Sequence, residues 1–131
     1  MFLGSSLTYA IISAFPTGSS SDQWQARIII TINEDQYPIP SDIGIVGNET
    51  KGKIFTGNTN GIIYKTVTGD VTLKDFFNTW SKTFNSTCVI DYCNTNTSSV
   101  KMYTWNGKWV TNSDFEFYVI KSGDNILIDY R

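Results

Sequence analysis

Val100-Lys101-Met102-Tyr103-Thr104-Trp105, Asn106-Gly107, Lys108-Trp109-Val110 and, further on, Lys121-Ser122-Gly123-Asp124-Asn125-Ile126-Leu127-Ile128-Asp129-Tyr130 decide the architecture of this chain. Asn-Gly between two runs of strand-forming residues is the strongest short-range hairpin signal a sequence offers. Residues 101–105 and 108–110 are therefore expected to pair around Asn106-Gly107. Residues 115–120 read as a further strand, and Gly123-Asp124 turns the chain into a last alternating run over 125–130.

Working outward from that stretch, residues 72–81 carry the best helix pattern. Thr72 is placed to act as N-cap, with Asp75 three residues on where a capping box needs an acid. Leu73, Phe76, Phe77 and Trp80 fall at i, i+3, i+4 and i+7, one apolar stripe over a candidate helix that spans 68–81. Before it lie a β-branched run over 24–32, turn residues over 33–36, and a return strand from Tyr37 through Pro40. Pro38 and Pro40 alternate there, so their missing N–H groups suit a sheet edge. Gly61 to Val67 supports another strand. A single amphipathic helix lying on a mixed sheet is an α+β domain, and no linker divides residues 24–131.

The 131 residues suit one domain with its own core. Charged residues make up only 17%, against roughly 25% in an average soluble protein. Asn, Thr and Ser replace them, so the surface is one of amides and hydroxyls. The net charge of −2 leaves no basic face for phosphates, which argues against nucleic-acid binding.

Cys88 and Cys93 enclose four residues. Neither a second pair nor a histidine exists to complete a four-ligand metal site, and a redox pair is more often spaced by two. The expectation is a local disulfide, worth about 2 kcal/mol by loop closure, in an oxidising compartment. Sequons at Asn48, Asn85 and Asn96 point the same way, to an extracytoplasmic protein, at the cell surface or secreted, carrying glycans at those positions.

Residues 1–15 are uncharged and mostly apolar, and a Pro-Thr-Gly-Ser-Ser-Ser linker follows, so residues 1–23 are set apart from the domain. The run is shorter than the ~20 residues a membrane helix needs and lacks the basic start of a good signal peptide. Three readings stay open: the remnant of a membrane anchor, a poor signal peptide, or an arm (Tyr9, Ile11, Ile12, Phe15) that pairs with a neighbouring subunit. Any membrane contact is expected only through such an anchor.

The helix followed by a late Gly123-Asp124 strand is similar to β-grasp, ubiquitin-like proteins in general. Sulfur carriers of that fold need a Gly-Gly end, whereas this chain reads Asp129-Tyr130-Arg131, so no carrier role is expected. Closer is a group of uncharacterised archaeal proteins with an N-terminal membrane anchor and one extracytoplasmic β-grasp-like domain. The chain resembles them in Ile39-Pro40-Ser41-Asp42-Ile43-Gly44-Ile45, Gly61-Ile62-Ile63, Thr72-Leu73-Lys74-Asp75-Phe76-Phe77 and the terminal Gly123-Asp124 strand, over about residues 28–130. Members of that group often carry a His-rich stretch before the Gly-Ile-Ile strand, a pattern suited to copper or zinc. Here the stretch is Phe55-Thr56-Gly57-Asn58-Thr59-Asn60, and Tyr64 stands where a later His falls. The resemblance thus implies a member that has lost its metal ligands. Asn58, Asn60 and Asp70 offer oxygens, in a spacing unlike a calcium loop.

No cofactor is expected, and no enzyme: with no His in the chain, a Ser or Thr nucleophile lacks its usual base, and the acids sit mostly in turns and caps. The leading expectation is a non-catalytic, surface-displayed binding or structural domain. Tyr103, Trp105, Trp109 and Phe117 give the hairpin region more aromatic surface than a small core needs, enough to hold a glycan or a protein. The equally weighted alternative is that these rings cover the helix and a second small core. As a third possibility, Thr8 to Phe15 completes a neighbour's sheet in an extracellular filament or surface assembly.

Overall fold

The computed structural model describes residues 24–57 and 61–131. The expected segment 1–23, with Tyr9, Ile11, Ile12 and Phe15, and the candidate oxygen donors Asn58 and Asn60 lie outside the described residues.

The domain is α+β, a mixed sheet with one α-helix among the described residues. In chain order the strands are β1 (Gln25–Ile32), β2 (Asp35–Tyr37), β3 (Ile45–Val46), β4 (Glu49–Thr50), β5 (Ile54–Thr56) and β6 (Ile62–Lys65). Helix α1 (Leu73–Trp80) follows, then β7 (Cys88–Val89), β8 (Tyr92–Cys93), β9 (Val100–Trp105), β10 (Trp109–Thr111), a 3₁₀ turn (Phe115–Phe117) and β11 (Asn125–Tyr130). The main sheet runs β10-β9-β11-β1-β6-β5, with β2 also pairing β1. Its centre is the parallel pair β1–β11, in which Ile28 faces Ile126 and Ile30 faces Ile128. Its other strand pairs are antiparallel.

Strand periodicity explains why one face of this sheet carries the core. Along β1 every second residue (Ala26, Ile28, Ile30, Ile32) is buried, as Ile126 and Ile128 are on β11 and Val100 and Met102 on β9. Against them lies the helix stripe Leu73, Phe76 and Phe77, with Phe77 stacked on Phe84 at 4.8 Å. The predicted capping box is formed: the Thr72 N–H donates to Asp75 Oδ2 (2.9 Å), and the Asp75 N–H donates to Thr72 Oγ1 (3.2 Å). The helix begins at Leu73 rather than at 68 because the cap fixes its first turn.

One edge of β1 is shared by two partners. Residues 25–27 pair with β6 and residues 30–32 with β2. At the junction the Ile28 N–H donates to Gly61 O (2.9 Å), and Gly61 holds φ +79°. A Cβ there would collide with the Ile28 carbonyl oxygen, so only glycine lets the two strands share the edge.

Two strand expectations differ from the structure. The return strand ends at Tyr37, and Pro38 and Pro40 lie beyond it. Asn33 and Glu34 both have positive φ (51° and 76°), the tight two-residue turn that matches strand twist. Proline at 38 then removes the next ladder donor. Residues 115–120 do not extend the sheet either. Asn112 Oδ1 accepts from the Asp114 N–H (2.8 Å), and the chain turns through the 3₁₀ segment with Phe115 at φ 50°. Residues 118–120 then pair with the start of the helix, where the Leu73 N–H donates to Tyr118 O (3.1 Å) and the Ile120 N–H to Val71 O (2.9 Å).

The disulfide is present. Cys88 and Cys93 face each other across the β7–β8 hairpin with an S–S distance of 2.03 Å. Tyr130 Oη donates to Cys93 O (2.8 Å), which ties this hairpin to the end of β11.

Candidate binding face

The residues that alternate with the core positions form the other face of the sheet. On β9 these are Lys101, Tyr103 and Trp105; on β1, Arg27, Ile29 and Thr31; on β11, Asn125, Leu127 and Asp129. Register then sorts them into rows across the strands. One row runs Thr111, Tyr103, Leu127, Ile29. Beside it Trp109 faces Trp105, and Asn125, Arg27 and Ile62 face one another, the two sets aligning where the β9–β11 register is carried one residue past Thr104–Ile126. A third pairs Gln25 with Tyr64 and Tyr64 with Phe55, whose rings stack at 5.2 Å. The face is thus apolar across its middle, where an ordinary solvent face of a two-layer domain is polar.

Three of the four predicted aromatics meet here. Trp105 and Trp109 lie directly opposite each other, with ring centroids 5.2 Å apart at 70°, and remain 50% and 39% exposed. They are not consumed by a second core. Tyr103 is half-buried in the neighbouring row. Phe117 does not join them. It stands on the 3₁₀ turn beside α1, under the Lys74 ammonium at 5.9 Å, on the helix side of the sheet. Tyr92 packs on Tyr130 at 5.5 Å, away from the tryptophans.

Sequence reasoning missed Arg27, Ile29, Asn125 and Leu127. The alternation in Trp24-Gln25-Ala26-Arg27-Ile28-Ile29-Ile30 carries the signal, because an arginine inside a β-branched run must point away from the core. The Arg27 guanidinium has no hydrogen-bond or ion-pair partner among the described residues, and its Nε is buried. The acids at the start and end of β11 have other partners. Asp129 accepts from Thr31 Oγ1 (2.7 Å) and pairs with Arg131 (3.3 Å). Asp124 accepts from Tyr118 Oη (2.7 Å) and from the Lys121 N–H (2.8 Å). Burial and that carboxylate hold the Tyr118 phenol well above the ordinary tyrosine range.

The remaining candidates are scattered. Asn48 is exposed in the β3–β4 turn and Asn96 in the loop before β9. Asn85 Oδ1 accepts from the Thr87 N–H (2.8 Å), Thr87 Oγ1 (2.8 Å) and the Cys88 N–H (2.9 Å), so this side chain shapes its own turn. At the end of β5 Thr56 is buried, donating to Pro40 O and accepting from the Ile43 N–H, both at 2.9 Å. Among the described residues no three His, Cys, Asp or Glu side chains gather as a metal site, and no helix is long and apolar enough to cross a membrane.

At the rim of the face, β10 is an outermost strand of the sheet. The Asn106 N–H donates to Lys108 O and the Asn112 N–H to Met102 O, both at 2.9 Å. Antiparallel alternation then directs the backbone groups of Trp109 and Thr111 away from β9, toward the open side. At the opposite end the outer side of β5 is occupied, because the Thr56 N–H donates to Ile43 O (3.0 Å) and the Asp42 N–H to Thr56 O (3.2 Å).

No family model matches the chain, and no curated protein or solved structure shows significant similarity to it.

Proposed function

We propose that this chain is a β-grasp-like, non-catalytic binding domain that works outside the cytoplasm and takes its ligand on the outer sheet face. The paired, half-exposed tryptophans carry this reading. Two large rings held in fixed register on a rigid sheet, their planes 70° apart, offer apolar ring area at little entropic cost, which suits a sugar ring or the edge of a protein. The β-grasp assignment rests on the central parallel pair of the first and last strands, hairpin partners on both sides and one helix across one face. The cross-strand disulfide supports an oxidising compartment, at the cell surface or in the secreted fraction. Exposed Asn48 and Asn96 suit glycan attachment better than Asn85, whose amide oxygen is engaged three times.

The test is binding of the oxidised domain to a printed glycan panel and to cell-envelope preparations, side by side with Trp105→Ala. Truncation of one ring of the pair is expected to cost about tenfold or more in affinity while leaving the fold intact. Equal binding by both forms, or binding by neither, removes the tryptophan face as the site.

A second reading has its own observation. Among the described residues no strand pairs with the outer side of β10, whose backbone donors and acceptors are what an added strand needs. Residues 9–15 of a neighbouring copy are the strand we assign to it, which makes the chain a subunit of an extracellular assembly.

A further inference from the structure

We propose that the outer face selects a carboxylate-bearing sugar, with the pyranose ring on Trp105 and Trp109 and its carboxylate on Arg27. This deepens the binding reading above and rests on it.

Carrying the β9–β11 register one residue past Thr104–Ile126 aligns the facing pair Trp109–Trp105 with the facing pair Asn125–Arg27, across four adjacent strands on one face. Strands lie roughly 4.8 Å apart, so Arg27 stands roughly 10 Å of backbone from Trp105, the span of a sugar ring with its substituent. Asn125 lies between them, with an amide able to donate to ring or hydroxyl oxygens. Arg27 is half-buried between Asn125 and Ile62, its guanidinium without a partner among the described residues, a costly state for a cation. Among the described residues no carboxylate pairs with it: Asp129 is engaged by Thr31 and Arg131, and Asp124 Oδ2 by Tyr118 and the Lys121 N–H. With Nε shielded, the end of the guanidinium offers two terminal nitrogens, a fork that matches the two oxygens of a carboxylate. A neutral sugar would use the tryptophans and leave this charge uncompensated. An acidic one satisfies both. An acidic peptide would also meet the arginine, but the two exposed indoles beside it, set at 70° to each other, form an apolar corner against which one face of a pyranose can stack.

The experiment compares matched acidic and neutral probes by tryptophan fluorescence and calorimetry. The pairs are trigalacturonate with its methyl ester, 3′-sialyllactose with lactose, and hyaluronan hexasaccharide with chitohexaose. At least one acidic probe is expected to bind ten- to a hundredfold more tightly than its neutral partner, roughly the value of a charge-assisted pair. Arg27→Gln is expected to erase that preference and keep residual binding, whereas Trp105→Ala removes binding of both members. Arg27→Lys, which keeps the charge but loses the fork, is expected to recover only part of it. Equal affinity within every pair, unaffected by Arg27→Gln, overturns the carboxylate selection while the tryptophan site stands. Binding of no sugar, with an acidic peptide such as hexaglutamate bound instead through Arg27, overturns the sugar assignment and leaves a protein-binding face.

Discussion

Ser81 ends helix α1 with φ 63°, in the left-handed region that a side chain disfavours. Its N–H donates to Asn78 O (3.1 Å), and the exposed hydroxyl makes no part of the core. Ser81→Gly removes the strain of the Cβ, offset in part by the greater freedom of glycine in the unfolded chain. The expected net effect is a gain of about 0.5–1 kcal/mol, read as a rise in the urea midpoint at unchanged m. Tyr118 gives a pH dependence. Burial first, then the hydrogen bond to Asp124, raise its folded pKa. Above the ordinary value near 10 the unfolded phenol ionises while the folded one keeps its proton. Its contribution to stability is therefore intact below pH ~10 and lost as pH rises further, so Tyr118→Phe should show a shallower fall in Tm between pH 9 and about 11. A slope identical to the wild type would show that Tyr118 is not the group responsible. Thr72 and Asp75 were readable in advance because a capping box is local. The unpaired state of Arg27 was not, because it depends on where the carboxylates of Asp124 and Asp129, about a hundred residues on, find their partners.

The same contrast of local and distant causes separates the elements that were foreseen from those that were not. Helix α1 follows from a stripe within one segment, and the β9–β10 hairpin forms where Asn106-Gly107 announces it. Residues 115–120 failed as a strand because the Asn112 side chain turns the chain early and the start of the helix supplies the pairing partner. Their apolar content does not say which way they face: Phe117 is exposed and Ile120 is in the core. The two faces of β1 were likewise blurred by a run of β-branched residues that is apolar on both sides. The β7–β8 hairpin is too short to hold itself together without packing and its cross-strand bond. Replacing both cysteines by serine is expected to cost about 2 kcal/mol, measured by denaturant unfolding under oxidising conditions. A loss below about 0.5 kcal/mol would mean that the Tyr130–Cys93 contact and the buried Val89 and Ile90 hold this hairpin alone.

For the molecule as a whole, the open side of β10 and the tryptophan face lie next to each other, so assembly and ligand capture would compete for the same rim. A form beginning at Ser21 is expected to stay monomeric in light scattering while residues 1–131 form discrete oligomers. Two monomers would end the strand-exchange reading and leave the face free for ligand. The parallel pair at the centre has a different consequence, one of timing. Thr31 meets Asp129 across 98 positions of sequence, and the strand that completes the core is the last one made. At typical synthesis rates β1 waits roughly 5–20 s for its partner to emerge. Until then the core cannot close, because the loop joining its two central strands spans almost the entire domain. Under the extracytoplasmic reading proposed above, a nascent chain of this kind would stay threadable through a secretion pore and acquire its shape and its Cys88–Cys93 bond together on the far side.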